Sequence, residues 1–146
     1  MLSNSCRYGI RAVIYLASLP QNKGKTGIKQ ISRDLNLPSP FLAKILQLLA
    51  RQKILDSTKG PHGGFSLLKD ARNITLLDIV RTIDGEDILT NCIIHNETCT
   101  KVDKDKKPCP VHDDFIGIRT DIIKLFRNRT IYDLVRTANR SEKVFI

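Results

Sequence analysis

The sequence predicts a mainly α-helical protein with a small β-hairpin wing: a winged helix-turn-helix plus a long C-terminal dimerisation helix. Three observations predict this fold class. Two helical patterns are separated by a turn of three residues, two short strand patterns follow them directly, and a long helical pattern lies near the C-terminus. We therefore divide the chain into a winged module at residues 1–85, a cysteine-bearing loop at 86–110, and a C-terminal part at 111–146.

The first two helices follow from the spacing of apolar residues. Residues 5–19 place apolar side chains three and four positions apart, and Pro20 ends the pattern. Residues 27–35 repeat this spacing over a shorter length, before a proline-containing turn at 36–38. Two helices joined by so short a turn form a helix-turn-helix.

The third helix is predicted to begin at Ser39 and Pro40, because serine is a good N-cap and proline suits the first helical position. Its apolar stripe would face the core. In a helix-turn-helix the second helix enters the major groove through its N-terminal residues. The residues predicted to face the groove are Ser39, Pro40, Phe41, Ala43, Lys44 and Gln47.

Residues 54–58 and 64–68 are predicted to form two short strands joined by a tip rich in glycine and proline. A hairpin directly after a recognition helix is a wing, and its tip can meet a phosphate or the minor groove. The predicted wing contacts are Lys59, Gly60, Pro61, His62 and Gly63.

Two threonines mark the start of the later helices. Thr75, with Asp78 three residues on, has the spacing of a capping box, and Gly85 ends that helix. Thr130, with Asp133 three residues on, begins a last short helix.

Between them, residues 111–128 form the longest helical pattern. Its apolar stripe could pack on its own domain, but we favour a partner helix, because the winged module already has a core. The predicted dimer residues are Phe115, Ile118, Ile122, Leu125 and Phe126.

Charge is unevenly distributed along the chain. The net charge is +9, and residues 1–85 carry 13 Lys/Arg against five Asp/Glu, whereas residues 86–146 carry 11 against ten. A basic first half predicts a polyanionic partner, here double-stranded DNA. We find no nucleophile–base pairing, phosphate-binding glycine loop or carboxylate cluster, so we do not expect an enzyme. We see neither an apolar run of membrane-spanning length nor a signal peptide, and expect a cytoplasmic protein with no membrane partner.

The pattern Cys92-x6-Cys99-x9-Cys109-Pro-Val-His112 predicts a metal centre. Cytosolic thiols are kept reduced, which argues against disulfides. Zinc sites usually use pairs spaced C-x2–4-C, so these wide gaps favour a [2Fe–2S] cluster. A structural zinc, a thiol/disulfide switch or incidental loop cysteines stay open. Two alternatives for the ligands also stay open: His95 could replace His112, and Cys6 could be a ligand that comes from a dimer partner.

Several segments resemble the IscR/NsrR family of winged-helix transcription regulators. They are Ser5-Cys6-Arg7-Tyr8-Gly9-Ile10-Arg11-Ala12, Phe41-Leu42-x-Lys44-Ile45-Leu46, Lys59-Gly60-Pro61-His62-Gly63-Gly64-Phe65, and parts of 74–85 and 128–134. The resemblance implies a homodimeric bacterial transcription regulator. Family members with three cysteines bind a [2Fe–2S] or [4Fe–4S] cluster and sense iron–sulfur status, nitric oxide or redox state, so the resemblance implies such a cluster here.

The resemblance also bears on the ligands. IscR-like members complete the site with a histidine three residues after the last cysteine, which matches His112. NsrR-like members can use an acidic residue near the N-terminus, but this chain has no carboxylate before Asp34. Its cysteine gaps are longer than the IscR pattern, which leaves the cluster type open. Ala43 stands where IscR-like recognition helices have a glutamate, so the operator sequence does not carry over.

Overall fold

The computed structural model describes residues 2–94 and 110–140. Within them the architecture is mainly helical with one antiparallel hairpin, as predicted. His95, Cys99 and Cys109 lie outside the described residues. In chain order the elements are α1 (Asn4–Ser18), α2 (Ile28–Leu35), α3 (Ser39–Arg51), β1 (Leu55–Thr58), β2 (Gly64–Leu67), α4 (Leu76–Asp84), α5 (Asp87–Thr90), α6 (His112–Asn128) and α7 (Ile131–Arg140), with 3-10 turns at Gln21–Lys23 and Ala71–Asn73.

A buried core surrounds α1. The α1 helix packs on α2, α3, α4, α7 and β2, so it lies at the centre of the fold. The apolar stripe predicted for α3 is buried against it, and Ile131 at the start of α7 is fully buried in the same core. The last helix therefore packs on the winged module. The residues of this core with no exposed surface are Ala12, Val13, Ile31, Leu42, Leu46, Leu49, Ile79 and Ile131.

The turn between α2 and α3 is tight and internally bonded. Asn36 adopts a left-handed conformation (φ 50°), and the Leu37 N–H donates to the Ser32 carbonyl oxygen at 2.9 Å. Our prediction that Ser39 is the N-cap is wrong. The Leu42 N–H already donates to the Pro38 carbonyl oxygen at 3.1 Å, so the helix begins one residue earlier and Pro38 is its N-cap.

The other helix ends were predicted more accurately. The Thr75 and Asp78 capping box is present, and Gly85 ends α4. Thr130 and Asp133 form the same pair of bonds at α7. The prediction of a loop throughout 86–110 is wrong at its start, where α5 forms. This short helix is stabilised by burial of Leu89 against Cys6, Leu77 and Val80 in a second, smaller core.

Candidate functional site

The exposed face of α3 carries the residues predicted to enter the major groove. Phe41 is 63% exposed, and Pro40, Lys44 and Gln47 are also exposed. Ser39 and Ala43 are half-buried. An exposed phenylalanine at the start of a helix leaves apolar surface available for contact with another molecule.

The wing tip has a backbone that requires glycine. Gly60 has φ 107°, and the Gly63 N–H donates to the Gly60 carbonyl oxygen at 3.0 Å, which closes a tight turn. A Cβ on Gly63 would lie 2.2 Å from the carbonyl oxygen of Thr58. The turn leaves Lys59, Gly60, Pro61 and His62 exposed, with Gly63 half-buried beneath them.

The stretch of chain that contains α3 and the wing is basic, with one carboxylate. Between residues 35 and 69 the sequence has a single acidic residue, Asp56. The Lys25 Nζ lies 2.7 Å from its Oδ2, and the hydrogen bond from Lys25 lowers the pKa of Asp56 below its ordinary value. The negative charge of Asp56 is thus offset. The cationic residues between 35 and 69 are Lys44, Arg51, Lys53, Lys59 and Lys69, all exposed.

Two of the four predicted metal ligands are described, and they line the same small pocket. Cys92, half-buried, lies just after α5, and His112 is the first residue of α6. The Cys92 Sγ accepts a hydrogen bond from the Ile94 N–H at 3.5 Å. Over residues 2–94 and 110–140, no three His, Cys, Asp or Glu side chains are grouped as a metal site, so a four-ligand site would need Cys99 and Cys109.

Arg119, which the sequence did not single out, lines the pocket with Cys92 and His112. Its guanidinium donates to the carbonyl oxygens of Thr90 at 3.3 Å and Asn91 at 2.6 Å. Helix α6 therefore holds the backbone immediately before Cys92.

Cys6 lies elsewhere. Its side chain has no exposed surface and packs in the second core with Leu77, Val80 and Leu89. Burial, followed by the nearby charge of Asp84, raises the pKa of the Cys6 thiol to about 12. A buried, protonated thiol fits a structural residue of α1 better than a metal ligand.

The apolar stripe predicted for α6 divides into two parts. Phe126, together with Ile123, packs on the second core, and Phe115 is half-buried. By contrast Ile118 and Leu125 are 57% and 51% exposed. The exposed apolar residues of α6 are Ile116, Ile118, Ile122 and Leu125.

The described residues contain no helix long and apolar enough to cross a membrane.

Comparisons with known proteins agree with the fold. The chain is 31% identical over 135 residues to an Aquifex aeolicus protein described as an HTH-type transcriptional regulator, which covers 92% of this chain and 91% of that protein. Of the solved structures, CymR (YrzC), the global cysteine regulator of B. subtilis, has a TM-score of 0.76 and 26% identity, covering 94% of this chain and 97% of that one.

A second solved structure, T. potens IscR, also has a TM-score of 0.76; at 20% identity, over 99% of this chain and 92% of that one, it supports the fold alone. Residues 2–137 match the Rrf2 family, described as iron-dependent transcriptional regulators. This match covers nearly the whole chain and confirms the resemblance seen in the sequence. The chain therefore belongs to the Rrf2 family of transcriptional regulators.

Proposed function

We propose that this regulator binds an operator in double-stranded DNA through α3 and the wing. The observation that carries the proposal is the charge of this surface. From residue 35 to residue 69 the sequence has five exposed cations and a single carboxylate, Asp56, whose charge Lys25 offsets. Such a surface attracts the phosphate backbone and releases its counterions. Family membership supports the same conclusion.

The two parts of this surface have different roles. Lys44 and Gln47 project from α3 and carry the donors and acceptors that can pair with base edges in the major groove. Lys59 stands at the exposed wing tip, where a flexible cation suits a phosphate. Specificity therefore resides in α3, and the wing supplies affinity for any sequence.

The test selects a binding site from random duplexes and then measures affinity by fluorescence anisotropy over a range of salt. Lys59→Ala should weaken binding to all sequences alike and flatten the salt slope by about one unit. Lys44→Ala and Gln47→Ala should alter the selected bases. Lys124→Ala, an exposed lysine on α6, is the matched control and should change neither property. A selected site that stays the same in both α3 variants would show that α3 does not read the bases.

We also propose that the regulator is a homodimer paired through α6. The exposed residues Ile118, Ile122 and Leu125 are spaced three and four apart, the periodicity of one helical face. Large apolar side chains grouped on a helix are costly in water and mark an interface. Two copies joined there would present two α3 helices to the same duplex, as helix-turn-helix dimers do.

We further propose that operator binding is controlled by a [2Fe–2S] cluster held by Cys92, Cys99, Cys109 and His112. The support is that Cys92 and His112, 20 positions apart in the sequence, line one pocket. The Cys92 Sγ accepts a hydrogen bond from the Ile94 N–H, and the Arg119 guanidinium holds the backbone just before Cys92. When bound, the cluster would supply a centre sensitive to redox state or nitric oxide. A [4Fe–4S] cluster and zinc are the alternatives for the same ligands.

Anaerobic purification followed by iron, sulfide and zinc assays tests the cluster. Cys92→Ala and His112→Ala should lose it or leave it labile, whereas Cys6→Ala should retain it because that thiol lies in the core. An assay that finds one zinc and no sulfide per chain would show that the site holds a structural zinc and not a cluster. Neither metal, with a disulfide formed on oxidation, would favour a second candidate, a thiol switch. Cys92 suits that candidate because its side chain is only half-buried.

A further inference from the structure

The segment at residues 25–27 lies alongside the wing, and Thr26 forms an isolated antiparallel bridge with Phe65 of β2. The Thr26 N–H donates to the Phe65 carbonyl oxygen, and the Phe65 N–H donates to the Thr26 carbonyl oxygen, both at 2.9 Å. On its other side Phe65 pairs with Ser57 of β1. Strand β2 therefore lies between β1 and this segment, which leads directly into α2.

The Lys25 side chain reaches across β2 to β1. Its Nζ lies 2.7 Å from the Asp56 carboxylate and donates to the Thr58 hydroxyl. Asp56 and Thr58 are two positions apart in β1, so they lie on the same face of the hairpin. The side chains of Lys25 and Asp56 are 23% and 45% exposed, so the ion pair is shielded from solvent on the lysine side only.

We propose that Lys25 is a positioning residue for the wing, and that its charge is used within the protein rather than on DNA phosphate. The side chain ties β1 to the segment that begins the helix-turn-helix, and Thr58 immediately precedes Lys59 at the tip. Lys25 thereby sets where the tip stands relative to α3. It also offsets Asp56, which would otherwise repel the phosphate backbone. This inference rests on the proposed binding of DNA.

Lys25→Met should weaken binding to every duplex by about threefold to tenfold, the range expected for loss of one partly shielded ion pair and its hydrogen bond. The salt slope should stay as in the wild type, whereas Lys59→Ala flattens it. Lys25→Arg should retain most of the affinity because it keeps the ion pair. A slope that falls by about one unit in Lys25→Met would overturn the proposal, because it would make Lys25 a phosphate contact.

The double variant Lys25→Met/Asp56→Asn separates positioning from charge. It removes the contact of Lys25 with β1 but leaves no unpaired carboxylate. If Lys25 positions the wing, this variant should bind DNA more weakly with an unchanged salt slope. Wild-type affinity in this variant would contradict a positioning role, because Lys25 would then do no more than offset Asp56.

Hydrogen exchange in the absence of DNA gives an independent readout. The Phe65 amide should exchange several-fold faster in Lys25→Met than in the matched control Lys23→Met, an exposed lysine two residues earlier. Equal exchange in the two variants would refute the tie. This measurement stays informative if the wild-type protein fails to bind DNA, so the two proposals can fail separately.

Discussion

Replacing Gly64 with alanine should loosen the wing from the rest of the protein. Gly64 has φ 148°, and a Cβ there would lie 2.4 Å from the Thr26 carbonyl oxygen and 2.5 Å from its carbonyl carbon. Ordinary contact for such an atom begins near 3.4 Å, so the Thr26 backbone must retreat by about 1 Å. That movement breaks the two 2.9 Å hydrogen bonds between Thr26 and Phe65.

The expected loss can be assembled from these parts. Two backbone hydrogen bonds contribute about 1 kcal/mol each, and the positive φ of an alanine costs about 1 kcal/mol more. Gly64→Ala should therefore lower the free energy of unfolding by about 3 kcal/mol, a large part of the ~5–15 kcal/mol typical of a folded protein. Urea denaturation followed by circular dichroism measures the change.

Gly60→Ala is the matched control. Gly60 also has a positive φ, 107°, but a Cβ there would meet no atom within 4 Å. It should cost only the backbone strain, about 1 kcal/mol. If the two variants lose the same free energy, the close approach of Gly64 to Thr26 does not stabilise the wing and the reasoning is refuted.

Three further predictions concern α6, the two described cysteines and the start of α7. Ile122→Asp should give folded monomers by light scattering, because it places a carboxylate in the proposed interface at a cost of several kcal/mol; outright unfolding would instead assign this face to the core. At pH 8, iodoacetamide should modify Cys92 long before Cys6, whose pKa is about 12 and whose side chain is buried, and similar rates by peptide mass spectrometry would contradict this. Hydrogen bonds from the Thr130 hydroxyl and N–H lower the pKa of Asp133 in the folded protein. The Asp133 carboxylate therefore stabilises the protein above the pKa that it has in the unfolded chain, and this stabilisation is lost as the pH falls through its pKa in the folded protein. Asp133→Asn should therefore destabilise the protein at pH 7 but little at pH 2, and an equal loss at both would argue against it.

Local features of the chain were predictable from the sequence. The Thr75–Asp78 capping box depends on residues three apart, and it forms as expected. The glycines of the wing tip were recognisable for the same reason, since a tight turn is specified within a few positions. Helix α5 was missed because four residues are too few to show a helical period.

The other missed features depend on how the folded chain packs. Lys25 and Asp56 are far apart in sequence, and Arg119 reaches a carbonyl 28 positions away at Asn91. Neither contact has a local signature, because each exists only after the helices have packed. The sequence analysis treated the apolar residues of α6 as one stripe. Helical periodicity identifies apolar positions, but it does not show which of them pack on the rest of the chain. Packing covers part of Phe126 and leaves Ile118 exposed.

The junction between α6 and α7 has a mechanical consequence. Thr130 pairs with Thr75 in an antiparallel bridge, and hydrogen bonds of 2.9 Å and 2.8 Å run from the Leu76 N–H to Arg129 and from the Ile131 N–H to Ile74. This end of α6 is fixed to the winged module. The helix has 17 residues and so extends about 25 Å to His112. A tilt of about 5° about the fixed end would move His112 by about 2 Å. In the dimer proposed above, a small displacement at the Cys92 pocket would therefore change the angle between the two subunits.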